Sequence, residues 1–264
     1  MTDAFDYRLG RWQDVLADIE VDAKISDPPY GRRTHDGHNE GSMAAINGFE
    51  AEIDYDHWTP DDVHAYVEHW SPRTRGWIAC QTSHDLIPAW EAAFDDAGRY
   101  CFAPIPYVDV GKGPRVVGDG PASWSVFIMV ARPRSSAWLE DWRKSRRAQQ
   151  LSCSLAGAYI RAKGDVTWQP RSRGKRIGGK PLGLMLQLVA DYSAPGDLVC
   201  DSHGGHATTL RAAIELGRRA IGAERDPGVW ADGLARLREP VAMELFAPRA
   251  PVPKGAQTGL FGAE

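Results

Sequence analysis

Residues 195–210 read PGDLVCDSHGGHATTL and indicate an α/β fold. The apolar letters predict a buried strand that ends at Asp201, the glycine pair predicts a tight turn, and the letters after it predict a helix. Residues 217–224 then predict a second strand that ends at Glu224, 23 residues after Asp201. A strand, a glycine turn, a helix and a strand with a terminal acid form the unit that binds adenosine-containing cofactors. The glycines let the backbone approach such a ligand, and the acid binds its ribose hydroxyls.

A second stretch, Asp27-Pro28-Pro29-Tyr30, lies far upstream and follows Ala23–Ser26, which we interpret as a short apolar run and a strand. The Asp27 carboxylate and the Pro28 carbonyl can each accept one N–H bond from a planar exocyclic amine. Proline suits this task because its φ is fixed and it has no N–H of its own. Tyr30 can stack on the ring that carries the amine. The alternative is an ordinary turn after a strand, since aspartate and proline are common turn residues.

Together the two stretches resemble the permuted (beta-class) DNA amino-methyltransferases, which use S-adenosylmethionine. In that family the Asp-Pro-Pro-Tyr motif lies upstream, the cofactor loop lies downstream, and target recognition lies between them. The resemblance covers Tyr7 to Leu237. It implies a doubly wound α/β fold with a mostly parallel, seven-stranded, Rossmann-like sheet. It also implies methyl transfer to a flipped DNA base: adenine N6 is usual with Asp-Pro-Pro-Tyr, and cytosine N4 remains the close alternative.

The resemblance also implies a set of site residues. Catalysis is assigned to Asp27, Pro28, Pro29 and Tyr30, and cofactor binding to Lys180, Asp201, His203, Gly204, Gly205, Ala207, Thr208, Thr209 and Glu224. Lys180 would meet the methionine carboxylate of the cofactor, or else would be a solvent-exposed lysine at the start of a helix. The sequence predicts no metal site.

The cofactor loop departs from the family pattern of Asp-Pro-Phe, small, Gly, small, Gly-Thr-Thr. Ser202 and His203 stand in place of Pro and Phe, His206 in place of a small residue, and Ala207 in place of the last Gly. Alanine replaces glycine without strain only where φ is negative. Near the start, Gly10-Arg11 stands where the family has Gly-Asp. These changes predict weaker cofactor binding or a different geometry, and they keep a catalytically weak DNA-binding relative as the alternative.

The charge of the chain is unevenly distributed. The net charge over 264 residues is −4, yet residues 132–180 contain 13 Lys or Arg and 3 acids. A basic segment in an otherwise acidic chain predicts contact with nucleic acid, here double-stranded DNA. A solvated basic surface is the alternative.

The motifs and the charge divide the chain into four parts. Residues 1–131 hold the catalytic half, 132–179 a basic target-recognition insertion, 180–238 the cofactor-binding half and 239–264 a proline-rich tail. In the tail, Gln257–Phe261 resembles the short peptides that dock on the replication sliding clamp, although five residues also match by chance.

The four cysteines contain no Cys-x-x-Cys pair, which argues against a zinc site or a disulfide framework and favours a reducing cytosol. No apolar run is long enough to span a membrane, so we expect a cytoplasmic protein. A hydrophobic content of 43% is sufficient for a large core.

Overall fold

The computed structural model describes residues 4–34, 56–110, 120–121, 124–165, 167–168 and 179–240. The strands are β1 Phe5–Leu9, β2 Ala23–Ser26, β3 Ile78–Thr82, β4 Arg99–Cys101, β5 Ile105–Val108, β6 Ser125–Pro133, β7 Tyr159–Ile160, β8 Leu198–Asp201 and β9 Arg219–Glu224. The helices are α1 Trp12–Val15, α2 Pro60–Trp70, α3 Ile87–Asp96, α4 Ser136–Ala148, α5 Leu182–Tyr192, α6 Thr208–Glu215 and α7 Pro227–Leu237.

One sheet carries all these strands, in the order β1-β9-β8-β2-β3-β6-β5-β7, with β4 also paired to β6. The five strands from β1 to β3 are parallel, and β6 is antiparallel to β3, β4 and β5. The expected mostly parallel α/β sheet is therefore confirmed. The described part has nine strands where seven were expected, because the short β4 and β7 extend the antiparallel end.

Strands β2 and β8 lie side by side, with Lys24 opposite Cys200. From β2 the chain crosses over to β3 on one side, and from β8 it crosses over to β9 on the other. The strand order therefore reverses between β2 and β8. Ligands bind at such a reversal, past the carboxyl ends of the strands. Asp27 and Asp201 both stand at this edge, although 174 residues separate them.

The sheet has a hydrophobic core on each face. Leu188 of α5 and Leu210 of α6 belong to one core, and Trp70 of α2 and Trp90 of α3 belong to the other. Thr59 followed by Pro60 is a helix-start pattern in the sequence. Helix α2 begins there, with Thr59 as its N-cap in a reciprocal capping box with Asp62. The two layers of helices fix the sheet from both sides, so the reversal point is a rigid platform.

The described part of the basic segment lies at two edges of the sheet. Helix α4 places Trp138 and Trp142 against Trp77, just before β3, at 5.6 and 5.9 Å between ring centroids. This contact lies at the amino ends of the parallel strands, the edge opposite Asp27. Strand β7 is parallel to β5, with Ile160 opposite Val108. Strand β5 runs in the same direction as β3, because both are antiparallel to β6. The residues after β7 therefore lie at the carboxyl edge.

Within the described ranges, no helix is both long and apolar enough to cross a membrane. The same residues contain no cluster of three or more His, Cys, Asp or Glu that would hold a metal ion. All four cysteines are free thiols.

Candidate active site

A cleft of about 1310 Å³ opens at the carboxyl ends of β2, β8 and β9. Among its lining residues are Asp27, Pro28, Pro29, Tyr30, Lys180, Asp201, His203, Gly204, Gly205, Thr208, Thr209 and Glu224. The structure thus brings together every predicted site residue except Ala207, whose side chain is fully buried. The volume exceeds the roughly 300–1,000 Å³ of a site for one small ligand. The cleft can therefore hold a cofactor and a base together.

The turn after β8 requires glycine for steric reasons. A Cβ added at Gly204 would lie 2.6 Å from Cε2 of Tyr7. Tyr7 cannot easily move away, because its hydroxyl donates a 2.6 Å hydrogen bond to the Gly205 carbonyl. The close approach of Tyr7 in β1 therefore fixes the backbone of this turn, which lines the cleft.

Ala207 adopts φ 58° and ψ 34°, which is the left-handed region. For a residue with a Cβ this costs about 1–2 kcal/mol. The methyl group is fully buried, which recovers about 0.8 kcal/mol. The alanine that replaces the family glycine is therefore strained, and packing offsets only part of that strain.

The two acids of the predicted cofactor unit have different surroundings. Glu224 accepts hydrogen bonds from the backbone N–H of Gly205 and of Asp226, at 3.0 and 2.8 Å. Burial raises the pKa of its carboxyl group. A carboxylate has about four acceptor positions, so Glu224 can still bind ribose hydroxyls.

Asp201 instead binds other residues of the chain on both sides of the turn. It accepts hydrogen bonds from the hydroxyls of Ser26 and Thr209, at 2.9 and 2.5 Å, and from the N–H of His203, at 3.0 Å. Its side chain is buried, and burial raises its pKa while the charge of Lys24 opposes that rise. Thr208 is held in a similar way, by a 2.8 Å bond from Arg236.

Lys24 is a functional-site residue that the sequence reasoning missed. The run Ala23–Ser26 that we interpreted as apolar contains a lysine with no exposed surface. Its ammonium donates to the hydroxyls of Ser26 and Ser202, at 2.5 and 2.9 Å. It also lies 4.6 Å from the ring centroid of Trp70. The signal was present, because a lysine in a buried strand needs polar partners, and Ser202 departs from the family pattern at the matching position.

His203 keeps an aromatic ring where the family has phenylalanine. The ring lies 5.4 Å from that of Trp58 and 5.8 Å from that of Tyr66. Burial, aided by the charge of Lys24, lowers the pKa of His203 to about 3, so the ring is neutral at physiological pH. Its Nδ1 lies 3.1 Å from the hydroxyl of Ser202. The two departures in this part of the loop therefore belong to one network with Lys24.

At the Asp-Pro-Pro-Tyr motif, the two carboxylate oxygens of Asp27 differ. Oδ2 accepts a 2.5 Å bond from Lys180 Nζ. Oδ1 is buried and has no hydrogen-bond partner among the described residues. Lys180 Nζ also lies 5.1 Å from the ring centroid of Tyr30. Lys180 is thus not a solvent-exposed helix-start lysine, and its observed partner is the Asp27 carboxylate.

Comparison with known proteins agrees with this arrangement. Residues 133–231 match the model of the N6/N4 methyltransferases, described as DNA methylase. Over 65 residues the chain is 37% identical to the type II methyltransferase M.HindIII of Haemophilus influenzae. Over residues 133–231 the chain is therefore similar to the N6/N4 DNA methylases. The aligned stretch is 25% of this chain and 21% of M.HindIII, so the chain spans about a fifth of that relative.

Solved structures of DNA methyltransferases share the fold of this chain. The M1.HpyAVI–SAM complex matches with a TM-score of 0.59 at 17% identity, over 89% of this chain and 100% of that one. TTHA0409 of Thermus thermophilus matches with a TM-score of 0.57 at 18% identity, over 90% of this chain and 97% of that one. The cytosine-N4-specific PvuII DNA methyltransferase matches with a TM-score of 0.63 at 13% identity, over 92% of this chain and 91% of that one. The matched family model covers both amines, so the similarity alone leaves adenine N6 and cytosine N4 open.

Proposed function

We propose that this chain transfers a methyl group from S-adenosylmethionine to the exocyclic amine of a base flipped out of double-stranded DNA, with adenine N6 as the favoured target. The observation that carries the proposal is Asp27 Oδ1, a buried acceptor without a donor among the described residues. Leaving such an atom unbonded costs about 1–3 kcal/mol. An amine N–H from the substrate would remove that cost, in the same cleft as the glycine loop.

The residues around the loop fit S-adenosylmethionine. Glu224 has acceptor positions left for ribose hydroxyls, and Gly204 and Gly205 line the cleft without side chains, so a ligand can approach their backbone. When bound, the cofactor supplies a methyl group on a positively charged sulfur. The acids Asp201 and Glu224 add negative charge to the walls of the cleft, which suits a cationic ligand.

The chain itself positions the amine. Asp27 Oδ1 and the carbonyl of Pro28 would accept its two N–H bonds, which localises the nitrogen lone pair away from the ring. Tyr30 would stack on the base and contribute about 1–3 kcal/mol. That contribution offsets part of the few kcal/mol that flipping costs. With the cofactor bound, the amine nitrogen would take the methyl group, the sulfur would keep the electron pair of the C–S bond, and Asp27 would accept the proton that the nitrogen loses.

The basic segment would supply DNA contacts in its later part. Helix α4 lies at the far edge of the sheet, whereas Lys163 lies at the cleft edge. Residues 169–178, which include four basic side chains, lie outside the described ranges. So do residues 35–55 and the predicted clamp peptide Gln257–Phe261, which stays a prediction.

Nucleoside analysis tests the proposal directly. The protein is incubated with labelled S-adenosylmethionine and unmethylated genomic DNA, and the digested DNA is analysed by mass spectrometry. We expect N6-methyladenine. N4-methylcytosine would move the target while keeping the mechanism. Absence of any product despite DNA binding would favour the catalytically weak relative. Asp27→Ala is the matched control, with no product expected and cofactor affinity retained.

A further inference from the structure

We infer that Lys180 is a positioning residue that orients the catalytic carboxylate, so that Asp27 presents Oδ1 to the target amine. The inference rests on the proposed function and deepens it. It gives Lys180 a role that differs from contact with the methionine carboxylate of the cofactor.

The two carboxylate oxygens of Asp27 have different partners. Oδ2 is bonded to the Lys180 ammonium at 2.5 Å, and the two side chains are only 16% and 20% exposed for Lys180 and Asp27. A charge-assisted bond of this kind is short and strong, and it fixes the rotation of the carboxylate. The other oxygen, Oδ1, is then left as the buried acceptor. Without Lys180 the carboxylate could rotate and offer either oxygen, so the amine would lose a fixed partner.

The backbone that carries Lys180 is itself held in place. Pro181 follows it with φ −62° as the N-cap of α5, and α5 buries Leu184 and Leu188 in the core. On the other side, a Cβ at Gly179 would lie 2.7 Å from Cγ2 of Thr167, so the segment packs closely there. Because this backbone is fixed, Lys180 can hold the Asp27 carboxylate within the roughly 0.5 Å that a catalytic group requires.

The same ammonium also limits the position of Tyr30. Nζ lies 5.1 Å from its ring centroid, which is within the range of a cation–π contact. One charge therefore touches both the acceptor and the stacking ring of the proposed base site. An ammonium bound to the cofactor carboxylate would instead act on cofactor affinity.

These two roles predict different kinetics, which Lys180→Met and Lys180→Arg separate. We expect Lys180→Met to lower kcat on the order of 10²-fold at saturating cofactor, as misplacement of a reacting group does. Cofactor Kd by calorimetry and KM for DNA should change by less than about threefold, because binding is not the step affected. Lys180→Arg keeps the charge and should recover a large part of kcat. Unchanged melting temperature excludes a folding defect. If Lys180→Met does not fold, Lys180→Gln keeps a donor and serves in its place.

Two results would overturn the inference: a rise in cofactor Kd of about tenfold or more with kcat preserved, or no change in either quantity. The matched control is Arg75→Gln, which removes a cation from the surface acids Glu20 and Asp22, away from the cleft. It should leave every parameter at the wild-type value. Failure of the proposed function itself is distinguishable, because the wild-type protein would then give no methylated nucleoside.

Discussion

Lys24 shows how one side chain links the two halves of the site. It is wholly buried, it bonds to Ser26 of β2, and it bonds to Ser202 in the turn after β8. Its charge also opposes the burial cost of the Asp201 carboxylate. Removing the lysine would leave that carboxylate buried without its nearby cation.

We therefore expect Lys24→Met to destabilise the protein by about 3–5 kcal/mol at pH 8. The loss should be smaller at pH 5. Burial raises the pKa of Asp201, so its charged form is costly at high pH, and at low pH the carboxyl can take up a proton instead. Urea denaturation at the two pH values measures the difference. Equal losses of unfolding free energy at the two pH values would mean that Lys24 does not stabilise the charged form of Asp201. Lys144→Met on the surface of α4 is the control, with an effect within about 0.5 kcal/mol.

His203 makes the opposite contribution to pH dependence. Its pKa is lowered to about 3 in the folded chain, whereas an unfolded histidine titrates near 6.5. As pH falls from 6.5 to 5, the unfolded chain gains a proton at this residue and the folded chain does not. Stability is therefore lost, by about 2 kcal/mol at pH 5. His203→Phe removes that loss and restores the aromatic residue of the family.

The measurement is the free energy of unfolding of both proteins at pH 7.5 and pH 5. The wild type should lose about 2 kcal/mol more than His203→Phe over that interval. A parallel decline of the two proteins would contradict the assignment. His84→Gln, at an exposed histidine, should behave as the wild type.

At the scale of elements, the turn between β8 and α6 is the most constrained. Gly204→Ala would place a Cβ 2.6 Å from Tyr7, which the Tyr7–Gly205 bond holds in place. The turn must then shift, so we expect cofactor Kd to rise by more than about tenfold, since the backbone of this turn is the proposed cofactor contact. Calorimetric titration with S-adenosylmethionine measures it. Gly157→Ala, where a Cβ meets open space, should bind as the wild type does. A tight-binding Gly204→Ala protein would remove this turn from the cofactor site.

Elements with strong local signals were predictable from the sequence. Strand β2, the capped start of α2 and the β8 to β9 unit lie where the apolar runs, caps and glycines indicate. Strands β4 and β7 were not predictable at their observed lengths, because strands of three and two residues carry almost no periodicity. The side of the sheet that α4 covers also depends on the long-range contact of Trp138 with Trp77, which no local pattern encodes.

The candidate site was predictable to the same extent. Asp27 and Glu224 follow from their places at strand ends, and both line the cleft. The pairing of Lys180 with Asp27 joins residues that are 153 positions apart, so spacing could not reveal it. Ala207 was identified as a departure, but only the backbone shows that its φ is positive.

At the scale of the whole molecule, the basic run is divided between two edges of the sheet. Lys163, in the turn after β7, stands at the cleft edge, and Lys144 stands on α4 at the other. Both are exposed lysines of the basic insertion that we predicted at residues 132–179. A DNA duplex bound over the cleft would meet the first and not the second.

We therefore expect Lys163→Glu to weaken DNA binding and to reduce the slope of log K against log salt by about one. Lys144→Glu should leave both nearly unchanged. Fluorescence anisotropy with labelled duplex over a series of salt concentrations measures the two quantities. A larger effect at Lys144 would place the duplex on the α4 edge and would separate DNA binding from the cleft.

The pairing of β1 with β9 also determines when the protein can fold. Phe5–Leu9 lies beside Arg219–Glu224, so β1 has no hydrogen-bonding neighbour until β9, the last of the described strands, has been synthesised. Pairings between such distant parts of the chain are slow to form, and unpaired edges attract other chains. The nascent protein must therefore keep β1 unpaired throughout synthesis, and a chain truncated before β9 would present an open edge at β8 to aggregation.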